Sequence, residues 1–82
     1  MIQPKFKMGQ EVWYLDADLY GNKRPTLAGF IIQRIMKFYD REYFLYTCAD
    51  LNVSIKEEFL STSIEETINR NIIFSRHFHE KI

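Results

Sequence analysis

What most constrains this chain is its punctuation: short β-branched and aromatic runs, each cut off by turn residues, followed by one helix-start signal. Gly9-Gln10 reads as a turn, after which Val12 and Tyr14 share one face of a strand and Trp13 takes the other. Residues 16–25 hold Asp16, Asp18, Gly21, Asn22 and Pro25, a loop by composition. Leu19 and Tyr20 lie within it and either fold back onto the domain or are displayed. Residues 26–35 predict a second strand, almost continuously apolar from Phe30 to Ile32, as suits a bent strand serving two faces. Gly29 permits the bend or a close backbone approach. A turn over 37–42 centred on Asp40-Arg41, a strand over 43–48, a turn over 49–52 and a strand over 53–56 follow.

The helix start is the sharpest local signal. Ser63-Ile64-Glu65-Glu66 matches a capping box, with Ser63 as N-cap and Glu66 at the third helical position. Both glutamates also complement the positive end of the helix dipole. Ile64, Ile68 and Ile72 repeat every four residues as an apolar stripe. The helix is expected to end near residue 70, because Asn69-Arg70-Asn71 interrupts it, with irregular or helical structure beyond; a helix running on to His79 is the alternative.

Four strands and one helix in 82 residues make a single mainly β domain near the lower size limit for folding alone, so its core must be dense. Seven Phe, five Tyr and one Trp supply it, each ring burying about 150–250 Å². Cys48 is alone and cannot form an internal disulfide; in an apolar strand it reads as a buried thiol. A reducing compartment is expected, and with a polar first segment and no long apolar run, a cytoplasmic protein that does not enter membranes. Eleven basic residues balance eleven acidic ones, which argues against strong non-specific nucleic-acid binding. Residues 1–41 carry seven basic and four acidic side chains, so the first half is the more basic.

Phe6-x-x-Gly9-x-x-Val12-x-Tyr14, Gly29-x-Ile31, the aromatic 43–46 strand, and Glu57-Glu58-Phe59-Leu60-Ser61-Thr62 with Glu65-Glu66 together resemble small SH3-like barrel proteins of bacteria and phages. The resemblance covers residues 5–68 and implies a small SH3-like β-barrel of four to five antiparallel strands with a C-terminal helix. The long 16–25 loop and the extended C-terminus depart from that pattern.

Signals for chemistry are sparse. His77-x-His79 lacks an acidic or cysteine cluster that would complete a metal site. Cys48 has no adjacent base in sequence, and Gly9, Gly21 and Gly29 are too isolated to form a phosphate loop. No enzyme, cofactor or metal is expected. The expected binding residues are Trp13, Tyr20, Arg24, Tyr39 and Arg41, which combine rings with guanidinium groups; the competing reading is that these rings plug the open ends of a barrel. The leading expectation is a non-catalytic protein-binding module, and the resemblance implies a phage or mobile-element accessory protein that inhibits or redirects a host, or defence, protein. Nucleic-acid binding through Arg24, Arg34, Lys37 and Arg41 is one alternative. A structural subunit or homo-oligomer joined through Ile72, Ile73, Phe74 and Phe78 is the other.

Overall fold

The computed structural model describes residues 2–79. Four antiparallel strands form one sheet in the order β1 (Glu11–Ala17), β2 (Lys23–Phe38), β3 (Glu42–Cys48) and β4 (Leu51–Lys56). A 3-10 turn (Glu57–Phe59), helix α1 (Ile64–Arg70) and a last helical turn α2 (Arg76–His79) follow.

The sheet is organised by β2, which is longer at both ends than its apolar run predicts. Its first half pairs with β1, Lys23 opposite Ala17 through Phe30 opposite Glu11, and its second half pairs with β3, Ile31 opposite Cys48 through Phe38 opposite Glu42. Bulges at both pairings bend the strand where it changes partners. The expected 16–25 loop is therefore shorter: Asp16 and Arg24 pair across the hairpin, and only 18–22 lie outside the strands. Pro25 sits inside β2 opposite Leu15. It is tolerated because β3 pairs only from Ile31 onwards, so β2 has one strand neighbour there and the missing N–H has no second ladder to break.

Val12 and Tyr14 are buried and Trp13 is half-buried, as strand alternation requires. Val12 and Tyr14 join Phe6, Ala28, Ile31, Phe44, Tyr46, Cys48, Leu51, Ile55, Leu60 and Phe74 in one core cluster. Edge-to-face contacts between Phe6 and Tyr46 (5.6 Å) and between Tyr14 and Phe74 (5.8 Å) knit the two ends of the chain into it. The free edge of β1 is covered after the 3-10 turn: Trp13 and Ser61 exchange two backbone hydrogen bonds (2.8 and 2.9 Å), and Phe74 N–H donates to Leu15 O (2.9 Å).

Helix α1 begins at Ser63, whose Oγ accepts from Glu66 N–H (3.1 Å), while Glu66 Oε1 accepts from Thr62 N–H (3.2 Å). The return bond thus reaches one residue before the cap. Asn71, left-handed at φ 52°, ends the helix. The isoleucine stripe faces outward, however: Ile64, Ile68 and Ile72 are all exposed, and Thr67 is the helix's buried residue. The three isoleucines stay outside the core cluster, and α1 is anchored by hydrogen bonds. Arg70 Nη1 donates to Leu60 O (2.6 Å) and Ser61 Oγ (3.2 Å), and Nη2 donates to Glu58 O. Beyond it Phe74 is buried while Ile72 and Ile73 are exposed. The side chains of Phe78 and His79 lie outside the described part. Among the described residues no helix is long and apolar enough to cross a membrane.

Candidate functional site

The two hairpins that flank β2 carry the most exposed rings among the described residues. At the β1–β2 turn, Asp18 acts as the organising residue. Its Oδ1 accepts from Tyr20 N–H (2.8 Å) and Asn22 N–H (2.9 Å), and its Oδ2 accepts from the Asn22 side-chain amide (3.1 Å). Its own N–H donates to Asn22 O (3.0 Å), and Gly21 N–H donates to Asp18 O (3.1 Å). The Asn22 and Tyr20 donors favour the ionised carboxylate and hold it below the usual carboxylate range. This closed turn leaves Leu19 69% and Tyr20 89% exposed, so both are displayed rather than folded back.

The C-terminal segment braces the same hairpin. Asp16 Oδ1 accepts from Arg76 N–H (2.7 Å), and Ser75 Oγ donates to Ala17 O (3.1 Å). A shallow groove of about 390 Å³ results, with residues 16–20 on one wall and Arg76 and His77 on the other. Arg24 is exposed on β2 beside it.

At the far end of β2, Phe38 is 74% and Tyr39 81% exposed, and Arg41 stands beside them. Tyr39 N–H donates to Arg41 O (3.3 Å), which closes the turn. A wider groove of about 690 Å³ runs from this tip between the N-terminal segment and residues 56–58. Its floor is polar and already committed: Glu57 Oε2 accepts from Tyr46 Oη (2.5 Å) and Lys5 N–H (3.0 Å). Burial, together with the Glu57 carboxylate, raises the Tyr46 phenol well above its usual pKa, so it stays protonated as the donor. Lys56 Nζ lies over the Tyr43 ring at 5.3 Å.

The five residues expected to bind therefore occupy three places. Tyr20 and Arg24 share one hairpin, Tyr39 and Arg41 share the other, and Trp13 is half-buried on β1 between Leu27 and Ser61. Sequence reasoning passed over Phe30, Ile32, Met36 and Phe38, which are exposed on β2. The available signal was the number of apolar residues in 30–38, which fall on both faces of the strand and so cannot all enter the core.

Cys48 is buried, and burial pushes its thiol up to about 11. A nucleophilic cysteine needs thiolate and access, and Cys48 has neither near neutral pH. Among the described residues no three His, Cys, Asp or Glu side chains gather as metal ligands would. Compared with protein families, curated proteins and solved structures, the chain matches none.

Proposed function

We propose that this chain is a non-catalytic protein-binding module built on an SH3-like barrel, docking on another protein through the hairpin tips at the ends of β2. The observation that carries the reading is the display of Leu19 and Tyr20 in a turn closed on both sides by Asp18. A loop ordered before it binds loses less conformational freedom on association. Tyrosine and arginine, the types enriched at energetic centres of interfaces, stand at both tips. The return of Ser61 to β1 after the 3-10 turn supports the barrel, since it gives β1 a second neighbour. The resemblance of residues 5–68 supports a phage or mobile-element accessory protein, with a host defence protein as the first class of partner to test.

Affinity capture from a bacterial lysate, with and without nuclease, tests the reading. Protein retained after nuclease and lost on Tyr20→Ala with Tyr39→Ala supports it. Loss of all captured material on nuclease treatment replaces it with nucleic-acid binding through Arg24, Arg34, Lys37 and Arg41.

A further inference from the structure

β2 outruns its neighbours on one side. β1 accompanies it from Lys23 to Phe30, and Gly9 and Gln10 bond Ile31 (2.8 and 3.0 Å). From residue 32 to residue 38, β3 lies along one edge, and among the described residues no backbone group bonds the other. A row of N–H and C=O groups about 20 Å long is therefore open to pairing. Among the described residues the outer edge of β4 is also unpaired, but its exposed side chains are Asn52, Ser54 and Lys56, which discourage pairing. Along β2 the exposed side chains include Ile32, Ile35, Met36 and Phe38, and the charged ones, Arg34 and Lys37, are both basic.

We propose that residues 32–38 accept an added β-strand from an acidic partner protein, an extended segment with two carboxylates three residues apart and two apolar residues between them. This rests on the protein-binding reading above and specifies the partner's chemistry. Directly opposed residues in a sheet share a face. Arg34 shares the face of Tyr46 and Lys37 that of Tyr43, so the two cations point to opposite sides, three positions apart. A strand that answers both needs its acidic residues at the same spacing, with apolar residues facing Ile35 and Met36. Arg34 Nη1 donates to Phe6 O at 3.4 Å, and a guanidinium with five donors keeps others for a carboxylate. A second copy of this chain fits less well: the antiparallel register that sets Ile35 against Met36 also sets Arg34 against Lys37, like charges directly opposed.

The probe is a capped peptide, acetyl-Thr-Glu-Val-Ile-Glu-Thr-amide, titrated into the full chain. Saturable binding is expected, with slowed amide exchange confined to residues 32–38. Exchanging both peptide glutamates for lysine should weaken binding at least about tenfold. Arg34→Glu with Lys37→Glu should weaken the acidic peptide by a similar factor and restore the lysine peptide. No saturation by about 1 mM peptide, protection elsewhere, or an unchanged affinity in the charge-reversed variant overturns the proposal. A captured protein partner that the charge-reversed variant still holds defeats strand addition alone; loss of every captured protein on nuclease treatment defeats the docking reading itself.

Discussion

Gly29 lies so close to Asp50 that a β-carbon on the glycine would sit 2.9 Å from both the Asp50 N and its Oδ2. Asp50 N–H donates to Ala28 O (2.9 Å), so the β3–β4 turn is fastened to β2 at the bend. Gly29 also holds a φ of 93°, which side chains rarely adopt. Gly29→Ala is expected to destabilise the fold by about 2–4 kcal/mol, combining backbone strain with displacement of Asp50. Urea unfolding measures this, and a midpoint equal to the parent's would mean the turn moves away freely.

Ser63→Ala removes the acceptor for Glu66 N–H and should cost about 0.5–2 kcal/mol. Glu66→Gln, which keeps an acceptor for Thr62 N–H, should cost less. Equal losses in the two variants would show that the charge of Glu66 contributes as much as the Ser63 cap.

Phe74 joins the C-terminal segment to the core between Tyr14 (5.8 Å) and Phe59 (5.3 Å). Phe74→Ala should cost about 3–5 kcal/mol, and truncation after Asn71 should expose the same apolar surface and lower solubility. A truncated chain with the parent melting temperature would make the segment dispensable for folding.

Alkaline pH should destabilise the fold. Cys48 ionises near about 8.5 in an unfolded chain, and burial pushes it to about 11 in the folded one. The fold favours the neutral thiol, so this contribution is whole below the unfolded value and is lost as pH rises towards the folded one. Tyr46 is shifted in the same direction by burial and Glu57 and extends the decline above about pH 10. Urea midpoints at successive pH values should fall from about pH 9 upward, and Cys48→Ala should flatten the early part of that fall. A thiol reagent at neutral pH should label Cys48 only after denaturation.

Tyr20→Ala with Arg24→Ala removes two exposed side chains and should leave the melting temperature nearly unchanged. If that hairpin docks a protein, capture should weaken at least fivefold, about 1 kcal/mol, with little dependence on salt. A steep salt dependence flattened by losing Arg24 would point to nucleic acid. A large loss of stability would make Tyr20 part of the packing.

Residues whose role depends on near neighbours were legible in the sequence. Ser63 caps α1 because its partner is three residues away, and Asn71 ends the helix by its own backbone conformation. Val12, Trp13 and Tyr14 divide between two faces because a strand's period is fixed by covalent geometry. Tyr20 and Tyr39 could be named as candidate rings, but whether they stand out or fold back depended on bonds such as Asp18 to Asn22 and on what the core already held. The outward turn of Ile64, Ile68 and Ile72 could not be read from their spacing: the helix buries Thr67 and is fastened by Arg70 to Leu60 O, so its inward side is the polar one. The open edge of β2 is likewise a property of where β1 stops and β3 begins. Local sequence determines period, caps and turns because those bonds close within a few residues, whereas burial and strand edges depend on which segments the tertiary structure brings alongside.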